Sequence, residues 1–90
     1  AEVALLYPKN GMSFLIDPEL PRQFQTISLR AEVTPLVPEL VWYVDGREYA
    51  RVPYPYETRW KLAEGTHSIQ ARFPNAHVIS PPVTVTVMPY

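Results

Sequence analysis

Two segments that alternate with a period of two, one on each side of a glycine turn, constrain this chain more than any other feature. Trp60 and Leu62 share one parity before Gly65, and His67, Ile69 and Ala71 share one parity after it. Successive side chains of a strand point to opposite faces, whereas a helix repeats its apolar face every three to four residues. Alternation on both sides of the turn therefore reads as a pair of half-buried strands. Just upstream, Trp42-Tyr43-Val44 runs into Asp45-Gly46, a dipeptide suited to a two-residue hairpin.

The same period recurs along the chain. Ile27, Leu29, Ala31 and Val33 alternate with Ser28, Arg30 and Glu32, and Val83, Val85 and Val87 alternate with Thr84 and Thr86. Residues 3–7 and 13–16 are short apolar runs on either side of Pro8-Lys9-Asn10-Gly11, a strong turn signal. Asp17-Pro18-Glu19-Leu20-Pro21 and Pro74-Asn75-Ala76-His77 read as loops. Residues 40–44 are almost continuously apolar, as in a central strand covered on both faces or edged by another domain. Trp60 and Ile69 should face a common core, joined by one of Trp42 and Tyr43. Eleven prolines against three glycines reinforce the reading, because proline withholds a ladder donor and keeps its neighbour extended. Helix should be negligible. The expectation is an all-β, immunoglobulin-like sandwich of about seven strands, with residues 1–90 forming one domain.

Composition excludes several functions. A net charge of −1 offers no broad electrostatic footprint for nucleic acid, and no apolar run is long enough for this domain to insert in a membrane. The absence of cysteine removes disulfides and thiolate-bound metal, and suits the cytosol and a bacterial periplasm alike. Ala1 in first place fits a processed protein or a domain of a longer one.

Catalytic signatures are missing. Ser13, Ser28, Ser68 and Ser80 are the only serines; none precedes a lysine by three residues or sits in a Gly-x-Ser-x-Gly elbow. His67 and His77 stand ten residues apart, without the ligand spacing of a zinc site. His67 lies beside a turn on an apolar face, so it reads as a cap on the core edge that bonds a loop carbonyl. Asp17 and Glu19 around Pro18, and Asp45 before Gly46, are turn chemistry rather than paired acids. Glu57, Arg59 and Lys61 form a solvated strip. No catalytic residue, metal ligand or cofactor is expected.

The aromatics are more suggestive. Tyr43, Tyr49, Tyr54 and Tyr56 cluster around the Asp45-Gly46 turn and the proline segment, interleaved with Arg47 and Arg51. Exposed tyrosine and arginine form contact surfaces, so these six residues are the candidate binding surface. The competing reading packs the same rings beneath the loop to close the sandwich.

The order of motifs resembles a known family. Tyr7-Pro8-x-x-Gly11-x-x-Phe14, Ile16-Asp17-Pro18-Glu19-Leu20-Pro21, Leu29-Arg30-Ala31, Val41-Trp42-Tyr43-Val44-Asp45-Gly46 and Trp60-x-Leu62-x-x-Gly65-x-His67-x-Ile69 follow one another. Together they resemble the C-terminal domain of class A penicillin-binding proteins of the 1C type, over nearly the whole chain. Members of that family are bifunctional murein synthases anchored in the bacterial inner membrane. The resemblance implies a periplasmic, non-catalytic accessory domain, since the transpeptidase motifs Ser-x-x-Lys, Ser-x-Asn and Lys-Thr-Gly are absent here. The partner it implies is another domain of the parent synthase or a periplasmic protein. A second reading is a carbohydrate-binding module that stacks tyrosines on the glycan strands of peptidoglycan.

Overall fold

The computed structural model describes residues 1–75 and 77–90. Ala76, and with it part of the expected Pro74-Asn75-Ala76-His77 loop, lies outside the described residues. Among the described residues, eight strands form two facing sheets: β1 (Glu2–Tyr7), β2 (Ser13–Ile16), β3 (Thr26–Thr34), β4 (Glu39–Val44), β5 (Arg47–Pro53), β6 (Thr58–Lys61), β7 (Gly65–Arg72) and β8 (Val83–Pro89). The three-stranded sheet has the order β1-β3-β6, and the five-stranded sheet β2-β8-β7-β4-β5. The helical content of the described residues is one 3-10 turn, Arg22–Phe24. This is the expected all-β, immunoglobulin-like sandwich. The count rises from about seven to eight because the four-residue β2 is a strand of its own.

The alternating faces lie where their period puts them. Leu29, Ile69, Ala71 and Val85 are fully buried, and Ile27, Ala31, Val33, Trp60, Leu62, Phe73 and Val87 join them in one core. Of the two neighbours in β4, Trp42 faces the core, while Tyr43 faces outward and is half-buried. Val41 is also buried, though on the outer face, where its register neighbours are Arg51 and Arg72. Long arginine stems cover apolar surface at such positions.

One pairing differs from expectation. The segments before and after Gly65 are not partners: β6 pairs with β3, whereas β7 pairs with β4 and β8. The turn between them is an arch joining the two sheets, not a hairpin. Its strands meet through side chains across the core, and the Trp60 and His67 rings pack edge to face at 5.0 Å. The β4–β5 connection, by contrast, is the expected tight hairpin. Asp45 and Gly46 have φ of 54° and 78°, the pair of positive angles a two-residue turn of this type demands.

The N-terminal turn also moves the chain between sheets. β1 runs antiparallel to β3, and after residues 8–12 β2 runs parallel to β8. The crossing is tied to β8 by bonds from the Gly11 amide to the Thr84 carbonyl (2.8 Å) and from the Thr84 amide to Asn10 Oδ1 (2.8 Å). Two buried polar side chains are equally structural. Gln25 accepts from the Asp17 amide at 2.7 Å and donates to the Asp17 and Leu20 carbonyls, stapling the proline loop. Ser80 Oγ accepts from the Ala71 amide at 2.8 Å, beside the β7 backbone.

Candidate docking cleft

Two serine hydroxyls have structural partners, those of Ser28 and Ser80. Ser28 donates to Glu57 Oε1 at 3.1 Å on the exposed face, the Ser68 amide binds Asp45, and Ser80 is buried in the β7 edge. Among the described residues no serine hydroxyl meets a histidine nitrogen, and no cluster of three or more His, Cys, Asp or Glu side chains could hold a metal. Asp17 accepts from the Glu19 amide at 2.9 Å, as a turn-forming aspartate does.

The six candidate surface residues fall in five places. Tyr43 lies on the outer face of the five-stranded sheet, under the Arg72 guanidinium, 4.0 Å from its ring centre. Arg51, on that face too, is held by Glu48 at 2.9 Å and Glu39 at 3.3 Å. Its hydrogen bond keeps the Glu48 carboxyl below its ordinary range. Arg47 is exposed beside the hairpin turn. Tyr49 is the extra residue of a bulge in β5, where Trp42 pairs with Ala50 and Tyr43 with Glu48. Its hydroxyl donates to the Arg59 carbonyl in β6, bridging the edges of the two sheets.

Tyr56 corrects the expectation. It is only 2% exposed and belongs to the core. Its hydroxyl donates to the Val37 carbonyl (2.6 Å) and accepts from the Val37 amide (2.8 Å), while its own carbonyl accepts from Trp42 Nε1 (2.8 Å). Residue 37 lies in the connection from β3 to β4 and residue 56 in the connection from β5 to β6. Both connections cross between the sheets, and Tyr56 stitches one to the other. Tyr56 thus packs beneath its loop, as the competing reading has it, while Tyr49 and Tyr54 stay exposed.

Those stitched crossings build a cleft of about 530 Å³ beside the three-stranded sheet. Leu36 comes from the first crossing and Tyr54 from the second. Leu6 comes from β1, where it is the extra residue between the pairs Leu5–Ala31 and Tyr7–Arg30. These three are 67%, 65% and 42% exposed, unusual for large apolar side chains gathered at one concavity. The Tyr54 ring stands edge to face on Tyr56 at 5.6 Å, so the core holds it in place. Arg30, Glu32 and Glu57 rim the apolar floor, and among the described residues none of them makes an ion pair. Such a site offers an apolar anchor with charged groups of both signs around it. Tyr54 was legible in the sequence as one of a cluster. Leu6 and Leu36 were not, because nothing local marks a bulge or an outward-facing loop leucine.

His67 sits at the core edge as expected, with Nε2 2.8 Å from the Ala63 carbonyl. The sequence reading did not pair it with Asp45, whose Oδ2 lies 2.7 Å from Nδ1.

The fold has a clear structural counterpart. The fibronectin(III)-like modules of Clostridium thermocellum CbhA superpose with a TM-score of 0.75 at 20% identity, covering 94% of this chain and 93% of that one. At that identity the likeness speaks to the fold alone. No curated protein matches the sequence. Residues 1–72 match the model of the penicillin-binding protein C-terminus family.

Proposed function

The chain belongs to the penicillin-binding protein C-terminus family, and on that premise we propose that it is a docking domain of a cell-wall synthase. Its family and its fibronectin-like fold are those of an accessory, non-catalytic domain. In this reading it works in the periplasm, attached to a parent anchored in the inner membrane. Its partner is another domain of that synthase or a periplasmic protein of the same machinery. The observation that carries the docking role is the cleft where Leu6, Leu36 and Tyr54 are exposed together above a rigid core. Apolar side chains grouped in a concavity release water when covered, and a pre-ordered surface loses little entropy on binding.

The glycan-binding reading rests on the Tyr54 ring, which is exposed and braced as a stacking platform would be. One titration separates the two. The isotope-labelled domain is titrated with the purified catalytic domains of a family synthase, and separately with soluble glycan fragments. Docking predicts that amide signals around Leu6, Leu36 and Tyr54 shift with the protein and not with the sugar. The opposite pattern favours the glycan module, and no shift in that region with either sinks both.

A further inference from the structure

Three chain segments converge on the His67 ring. Nδ1 lies 2.7 Å from Asp45 Oδ2 in the β4–β5 turn. Nε2 lies 2.8 Å from the Ala63 carbonyl and 3.2 Å from the Glu64 carbonyl in the β6–β7 arch. The second Asp45 oxygen accepts from the Ser68 amide at 2.9 Å, and the Asp45 amide donates to the Ser68 carbonyl at 2.8 Å. The Trp60 ring packs against the imidazole from β6. Hairpin, arch and β7 are thereby joined through one side chain.

Every oxygen around the ring is an acceptor. The two carbonyls have no proton to give, and an ionised carboxylate has none either. A neutral imidazole has one N–H and one lone pair, so one nitrogen would turn its lone pair on an oxygen at close range. Only the imidazolium satisfies both nitrogens. We infer that His67 is a proton-gated latch: charged, it clamps the Asp45 turn to the Ala63-Glu64 arch, and on losing a proton it releases one of them.

The surrounding charges fit this. Arg47 stands near Asp45 and lowers its pKa further, and the Glu64 and Lys61 side chains are exposed. The neighbouring β8 brings Val85 opposite His67 and has no titratable residue. Burial draws the His67 pKa down, but the Asp45 bond and the Ala63 and Glu64 carbonyls outweigh it and raise it above the ordinary 6.5. Burial likewise pushes Asp45 up, and the bonds from His67 and the Ser68 amide outweigh it and hold it below 3.8. For a raised histidine pKa, the stabilisation is complete below the unfolded value and is lost as pH rises through the folded one. For the lowered aspartate it is present above the unfolded value and lost as pH falls through the folded one. The latch is therefore fully closed between 3.8 and 6.5, and it opens on the alkaline side as pH rises through the raised histidine pKa.

Nitrogen NMR of the imidazole rings, with thermal melting across the same pH range, tests this. At about pH 6 both His67 nitrogens should carry protons, and one should leave at a midpoint above the ordinary histidine value of 6.5. Melting temperature should fall over that same interval in the wild type and in His77→Gln, and the fall should vanish in His67→Gln. Asp45→Asn should bring the His67 midpoint down. A neutral His67 tautomer at about pH 6, or a His67→Gln variant whose melting tracks the wild type with pH, overturns the latch. If His67→Gln does not fold, the ring spectra and exchange of the Ser68 amide in the wild type decide the matter alone.

Discussion

Tyr56 adopts a backbone angle that few side chains tolerate, with φ of 69°. That conformation costs about 1–2 kcal/mol for a residue with a Cβ, so the surroundings must over-determine it. They do: the hydroxyl closes two bonds to Val37, the carbonyl takes the Trp42 indole N–H, and the amide binds the Pro53 carbonyl at 2.7 Å. Tyr56→Phe keeps the ring and the strain but removes both bonds to Val37. It should lower stability by about 1–3 kcal/mol in urea titrations, the range for leaving a polar group unpaired away from water. Little of this was visible in the sequence. Tyr56 shares the parity of Trp60 and Leu62, which does foretell its burial, yet its proline-rich neighbourhood looks like a surface loop. The ambiguity between Trp42 and Tyr43 had a different origin. In a wholly apolar run, period two has no contrast to read, and only the neighbouring strands decide which residue turns inward.

At the scale of elements, the two turns around Gly46 and Gly65 make a natural comparison. In both, a Cβ added to the glycine meets open space or, at Gly65, only His67 Nε2 at 3.9 Å. Substitution is therefore opposed by backbone angle rather than by collision. Gly46→Ala, at φ of 78°, should cost on the order of 1 kcal/mol in the left-handed region. Gly65→Ala, at 108°, lies farther from any basin open to alanine and should melt lower than Gly46→Ala. Equal melting of the two variants would show that the arch relaxes to accommodate the change. The hairpin was legible because Asp-Gly specifies its own geometry within two residues. The arch was misread as a hairpin because parity reports which face is buried and is silent on which sheet a strand joins. Both arrangements place Trp60 and Ile69 inside; long-range pairing with β3 and β8 separates them.

For the whole molecule, the candidate surface read from sequence was dispersed by the same topology. The chain leaves one sheet after β5 and enters the other at β6, so tyrosines adjacent in sequence end on different faces or in the core. Tyr54 remains, and it acquires Leu6 and Leu36 from distant parts of the chain. Tyr54→Ser and Leu36→Ser replace exposed side chains that close no gap in the core. Stability should stay within about 0.5 kcal/mol of the wild type while association with the synthase domains is lost. A drop in melting temperature in step with lost association would mean that these side chains hold the crossings together instead. The parallel alignment of β2 with β8 has a mechanical consequence. The start of β2 and the end of β8 lie at opposite ends of their shared ladder, so traction applied there loads its bonds in shear, all together. An antiparallel pair pulled from one end would unzip bond by bond. Tension drawn between those two points would thus meet the whole ladder at once. In single-molecule pulling, Thr86→Pro, which deletes the amide bonded to the Met12 carbonyl at 3.0 Å, should lower the rupture force.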